Sequence, residues 1–260
     1  MIPGWKVNQK PSQQCLERVK RDLADFHADP PPGVFMAPDE KNITTVHAVV
    51  VGAAGTSYEG GFFHLLITCT KEYPMSPPSV RFMTTDGGRV TFNPHISAGG
   101  HICLSLLGTM VGPPWTPAHN LTSVAVSIQS MLDDTVRNVD AFEAFEQIVT
   151  GFWNPGNAKA MRYQTLRVAV CNTIESCLEG NCPFPPSLRD QLLASFADNY
   201  AKYEEAAKAE LAANQGGVLV WLGCENKYET LLARIQKLGR MVKSRNDAAA
   251  AAAPDARENR

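Results

Sequence analysis

FFHLLITCTKEYPMSPPSVRFMT, residues 62–84, holds two alternating apolar segments joined by a short connection. In the first, Phe63, Leu65, Ile67 and Cys69 alternate with His64, Leu66 and Thr68; in the second, Val80 and Phe82 fall on one side. A period of two predicts strands. Just upstream, TTVHAVVVG (44–52) is rich in β-branched residues and adds another strand, linked through the glycine-rich GAAGTSYEGG. Three successive strands with short turns predict an antiparallel meander with one buried face.

Helices flank this β-region. Ser12 is placed to cap a helix through CLERVKRDLADFH, where Cys15 or Leu16, Val19, Leu23 and Phe26 recur at helical spacing. That helix must stop before the prolines of DPPPG (29–33). Residues 86–120 show little periodicity, and helix returns at LTSVAVSIQSML, with Leu121, Val124, Ile128 and Leu132 on one face. Beyond residue 155 the pattern is helical again. Leu166, Val170, Ile174 and Cys177 form one stripe; Ser187 and Asp190 have capping-box spacing ahead of Leu188, Leu192 and Phe196. A third stripe, Leu231, Leu232, Ile235, Leu238 and Val242, starts from about Asn226. The end, DAAAAAAPDARENR, is of low complexity and is expected to be disordered or frayed.

Composition narrows the function. The 260 residues are 44% hydrophobic, enough for a core without disulfides or metal. A formal net charge of −2 gives no basic field for nucleic acid or anionic membrane. No apolar run reaches membrane-spanning length, and MIPGWKVNQKPSQQ lacks the apolar centre of a secretory signal. Seven cysteines then read as reduced thiols of a cytoplasmic or nuclear protein. Cys171, Cys177 and Cys182 are close in sequence but lack zinc-knuckle spacing, and Cys15, Cys69 and Cys177 fall on apolar faces. Cys224 completes that structural set.

Cys103 stands apart. NPHISAGGHICLSLLG surrounds it with glycines, and the turn Asn93-Pro94-His95 lies upstream. A reactive thiol needs partial exposure and nearby groups that stabilise thiolate or oxyanion, a setting this stretch can supply. His101, two residues before Cys103, also permits a thiol hydrolase, although no third orienting residue is evident.

YPMSPPSVRF, the Asn-Pro-His turn, GGHICLSLL and WTPA leading into LTSVAVSIQSML together resemble the ubiquitin-conjugating enzymes. CLERVKRDLADFHADPPPG and GTSYEGGFF match in order and spacing, so the resemblance covers about residues 13–145. Residues 161–208 and the loop GTMVGPPWTP resemble one branch of that family, charged by the alternative ubiquitin-activating enzyme and accepting ubiquitin or a two-domain ubiquitin-like modifier.

The resemblance implies an α+β fold: an N-terminal helix, a four-stranded antiparallel meander, an active-site loop, C-terminal helices and an added helical extension. The expected division is an N-terminal segment (1–12), a conjugating core (13–150), an extension packed on it (151–245) and a disordered tail (246–260). It also implies that Cys103 accepts the modifier's C-terminus as a thioester from an activating enzyme, then passes it to a substrate lysine or a ligase. No cofactor and no metal are expected, because ATP is used upstream by the activating enzyme.

Other roles also follow from the resemblance. Family members have His-Pro-Asn where this chain has Asn93-Pro94-His95, so His95 or Asn93 would support the thioester oxyanion. Asn138 or Asp140 would orient the incoming lysine. Arg18 and Arg21 match positions that meet the activating enzyme; Met75, Pro117 and Ala118 match positions that meet ligases. Trp115 would pack beneath the active-site loop. The alternative is a non-catalytic conjugating-enzyme-like module that recruits modifier or ligase.

Overall fold

The computed structural model describes residues 10–134, 158–180, 182–213 and 227–252. Helix α1 (Gln13–Ala28) starts where Ser12 Oγ accepts a bond from Cys15 N at 3.1 Å. Its buried stripe is Cys15, Val19, Leu23 and Phe26, joined by Asp22. Four strands follow: β1 (Val34–Pro38), β2 (Thr45–Val51), β3 (Phe62–Thr68) and β4 (Ser79–Phe82). They pair antiparallel in sequence order, with Met36 opposite Ala48, Ala48 opposite Leu65, and Leu65 opposite Phe82. Strand β1 is additional to the three located by sequence pattern; it is five residues long and ends in proline.

One face of the sheet carries Val46, Ala48, Val50, Phe63, Leu65 and Ile67 into a core with α1 and with Leu121, Val124 and Ile128 of α2 (Leu121–Met131). Asn120 caps α2 by accepting from Ser123 N at 2.8 Å. The expectation of a single buried face is corrected here. Ala37, Val49 and Phe62 point the other way and are buried under the C-terminal helices in a second core.

Those helices are α3 (Ala158–Gln164), a π-helical stretch (Thr165–Asn172), α4 (Thr173–Leu178), α5 (Pro186–Ala213) and α6 (Lys227–Ala252). Val168 and Ala169 of the π-helical stretch join the first core, while Leu166, Val170 and Cys171 join the second. The wider turn thus distributes neighbouring residues between two cores. Two expected boundaries move. Helix α5 begins at Pro186, with Arg189 N bonded to Pro185 O at 2.9 Å, so Ser187 lies inside the first turn and is not the cap. Proline suits that position because its missing N–H would have no partner there. Helix α6 continues to Ala252, past the boundary drawn at 246, because its alanines are the strongest helix formers.

Polar contacts tie the helices to the sheet and its loops. Tyr203 OH donates to Gly60 O at 2.9 Å, Arg162 donates to Glu59 O, and Arg167 pairs with Asp86 at 2.8 Å. At the seam lie two buried histidines: His47 Nδ1 is 3.1 Å from His64 Nε2, and Phe184 packs its edge on His64 at 4.7 Å between ring centroids. Asp39 Oδ2 is 3.7 Å from His47 Nε2. Burial first, then the neighbouring His47, push His64 down to about 3. Burial lowers His47 as well, against the pull of Asp39.

An unfolded histidine takes up its proton near its ordinary value, well before His64 does in the fold. The stability this site contributes is therefore complete above about pH 6.5 and is lost as pH falls toward 3. Between pH 7 and pH 5 the loss is about 2 kcal/mol for one such group. Chemical denaturation at both pH values should show this drop in the parent and a smaller one in His64→Gln. Equal drops would remove His64 as the cause.

Candidate active site

Beyond β4 the chain is anchored by buried Val90 and Phe92, and Tyr58 OH donates to Phe92 O at 2.6 Å. The turn that follows is built on Asn93, only 1% exposed. Its Oδ1 accepts from His95 N at 2.8 Å, and its Nδ2 donates to Met131 O at 2.7 Å. One side chain thus closes the turn and fastens it to the end of α2. From there the chain doubles back. Ile96 bridges Ile102 antiparallel, Ser97 N bonds His101 O at 2.8 Å, and Gly100 O accepts from Phe82 N at 2.9 Å. Gly100 has φ +82° and sits so close to β4 that a Cβ would fall 2.1 Å from Phe82 O. No other residue fits there.

Cys103 follows this bridge. Its N–H donates to His95 O at 2.7 Å, and the residue is half-buried. A short 3₁₀ turn, Ser105–Leu107, follows with Leu106 buried. Thr109 then folds back: its Oγ1 accepts from Leu104 N at 2.9 Å and lies 2.6 Å from Ile102 O. Nothing in the sequence reading singled out Thr109, since a threonine after a glycine carries no periodic signal. The loop beyond it is open to solvent, with Val111 96% exposed.

Several expected residues can now be located. Asn93 and His95 flank one turn, but both ends of the Asn93 amide are engaged in holding it. His95 gives its backbone to the turn and to Cys103, and the residue is half-buried. His101 is exposed at the base of the hairpin tip. Asn138 and Asp140 lie outside the described residues. Met75, Pro117 and Ala118 are all exposed, and Met75 is 64% so. Trp115 Nε1 donates to Pro74 O at 2.7 Å, which brings the Met75 loop against the segment holding Pro117 and Ala118.

Arg21 is exposed, whereas Arg18 departs from the expected surface role. It bonds Asp22 at 2.6 Å, Pro117 O at 2.8 Å and His119 O at 2.6 Å, and its guanidinium lies 5.8 Å from the centre of the Tyr73 ring. It is an internal brace between α1 and the loop before α2.

Among the other cysteines, Cys15, Cys69, Cys171 and Cys177 are buried. Burial raises all four thiols above their ordinary value, Cys171 to about 12. Cys182 is half-buried, and Cys224 lies outside the described residues. Among the described residues no group of three or more His, Cys, Asp or Glu is arranged around a metal position, and no helix is long and apolar enough to cross a membrane.

Asn93→Ala would leave a buried acceptor at Met131 and a donor at His95 without their partner. Urea unfolding should show a loss of about 1–3 kcal/mol per orphaned group. Asn93→Asp keeps the acceptor that closes the turn but sets a second oxygen against Met131 O in a buried site, so it should not restore the parental stability. Parental stability for Asn93→Ala would show that the amide does not hold the loop.

Comparison with known proteins agrees with this architecture. The family described as Ubiquitin-conjugating enzyme matches residues 18–147. Ubiquitin-conjugating enzyme E2 Z of Xenopus tropicalis is 37% identical over 242 residues, covering 92% of this chain and 75% of the relative. The human protein of that name is 40% identical over 208 residues, covering 78% of this chain and 56% of its own length. Ubiquitin-conjugating enzyme E2 T of Xenopus laevis is 36% identical over 121 residues, 46% of this chain and 60% of that one. The likeness to the E2 Z proteins thus runs over more of the chain than the likeness to E2 T. With its four-stranded meander, flanking helices and these matches, the chain belongs to the ubiquitin-conjugating (E2) enzyme family, transferases whose general partners are ubiquitin, an activating enzyme and ligases.

Proposed function

We propose that Cys103 carries the modifier as a thioester. The observation that carries this reading is the backbone fixation of a half-buried cysteine: its N–H is bonded to His95 O, and the Asn93 turn and the Thr109 fold-back hold the chain on either side. A nucleophile held this way spends little energy on alignment when it reacts. The Cys103 thiolate attacks the carbonyl carbon of the thioester on the activating enzyme. That C–S bond breaks, the activating enzyme's cysteine leaves as thiolate, and a new thioester forms on Cys103. A substrate amine then attacks the same carbon, gives up a proton, and expels the Cys103 thiolate. A ligase cysteine can replace the amine. ATP is spent before the first step, so the transfer itself needs no cofactor.

Around this centre the His95 ring is the group we assign to the thioester oxyanion. Asn93 is left with the turn, because its amide is engaged at both ends. Asn138 or Asp140 would receive the lysine. Arg21, Met75, Pro117 and Ala118 form the outward surface for activating enzyme and ligases. The likeness to E2 Z proteins and the exposed residues 108–114 after Cys103 support charging by the alternative ubiquitin-activating enzyme. The expected compartments are cytoplasm and nucleus.

The test begins with activating enzyme, ATP and ubiquitin, followed by gels with and without reductant. The parent should give a thiol-sensitive adduct, Cys103→Ser a more stable ester, and Cys103→Ala none. An adduct on Cys103→Ala would sink the assignment. His95→Ala should charge normally but discharge to free lysine up to about 10²-fold more slowly. Parental discharge would exclude the ring from the oxyanion site.

Removing Met110–Pro113 should weaken charging by the alternative activating enzyme more than charging by the principal one. Equal effects on both would make the loop a passive insertion.

A further inference from the structure

Thr109 is six residues past Cys103, at the start of the loop GTMVGPPWTP, and the sequence assigns it no role of its own. Its hydroxyl nevertheless touches the peptide groups on both sides of the cysteine. Oγ1 accepts from Leu104 N at 2.9 Å and lies 2.6 Å from Ile102 O and 3.1 Å from Leu104 O. A hydroxyl has one proton to give, and the 2.6 Å contact takes it. Thr109 N also donates to Leu104 O at 3.3 Å. With Cys103 N bonded to His95 O, the backbone here is held at Ile102 O, Cys103 N, Leu104 N and Leu104 O. Two anchors thus orient the thiol: the Asn93–His95 turn from the N-terminal side, and one threonine hydroxyl from the C-terminal side.

Thr109 is also where the solvent-open loop begins. Met110 and Val111 are exposed directly after it. Three residues on, a Cβ at Gly112 would fall 2.7 Å from Ser105 Cβ, so the loop lies against the 3₁₀ turn that follows the cysteine. We infer that Thr109 is a positioning residue for thioester transfer, its hydroxyl fixing the backbone of Cys103 and linking that backbone to the exposed loop. The inference rests on Cys103 being the acceptor. A partner that grips Met110 and Val111 pulls on the same residue that aligns the nucleophile, so docking and alignment share one hydrogen-bonded joint.

Thr109→Val removes the hydroxyl at nearly constant shape, and Thr109→Ser keeps it. Three measurements separate the possibilities: melting temperature, single-turnover discharge to free lysine over a range of lysine concentrations, and iodoacetamide alkylation of the Cys103 peptide across pH, read by mass spectrometry. Thr109→Val should lower the maximal discharge rate about 10- to 100-fold, leave the lysine concentration for half-maximal rate unchanged, and alter Cys103 alkylation several-fold. Thr109→Ser should return both rates to within about threefold of the parent. Parental discharge and alkylation in Thr109→Val would overturn the inference. So would rates lost only in step with melting temperature, because the hydroxyl would then serve folding alone. The acceptor reading fails separately, through an adduct that persists on Cys103→Ala, while the alkylation measurement still reports on alignment.

Discussion

A carboxyl group buried in α1 fixes the relation of three distant parts of the chain. Asp22, 1% exposed, accepts from Arg18 in its own helix, from the Tyr73 hydroxyl in the proline-rich connection, and from Leu121 N at the start of α2. Leaving such a group unpaired inside a core is costly, so the three elements must arrive together. Arg18 extends the join, because its remaining donors reach Pro117 and His119. Trp115 does the same from the other side through Pro74. The surface bearing Met75, Pro117 and Ala118 is therefore an outcrop of a rigid internal knot, and the end of α2 in turn receives the Asn93 amide.

The sheet is the second constraint. Its alternation sends Val46, Ala48 and Val50 to one core and His47 and Val49 toward the other. The five interior positions of β2 are all buried, which makes it a fully enclosed strand in an antiparallel sheet. Enclosure explains the His47–His64 pair: two imidazoles shut away from water satisfy one another across neighbouring strands.

What could be read from the sequence was whatever has a short period. The α1 stripe, the alternation in β3 and β4, the β-branched run of β2 and the three C-terminal stripes all appear as elements where they are expected. Strand β1 did not, because five residues ending in proline offer too little pattern. The second buried face was also hidden, since Val49 and Phe62 look the same whether their outer side meets water or helix. Roles that depend on distant partners were harder still. Nothing near Asn93 announces Met131, and nothing near Arg18 announces the carbonyls of Pro117 and His119. Cys103 is a candidate in the sequence because of its neighbours, whereas nothing there links Thr109 to the peptide groups of Ile102 and Leu104.

The burial of the sheet's outer face has a consequence for inheritance. Ala37, Val49 and Phe62 are apolar on the side where a bare meander would show polar residues to solvent, and α5 lies against β1. A lineage that shed these helices would expose that apolar surface unless the strands changed with them. A lineage that acquired them would gain nothing until the strand positions had become apolar. The outward residues of the strands and the helices above them thus form one packing unit, and a polar substitution in either half leaves the other without its apolar partner.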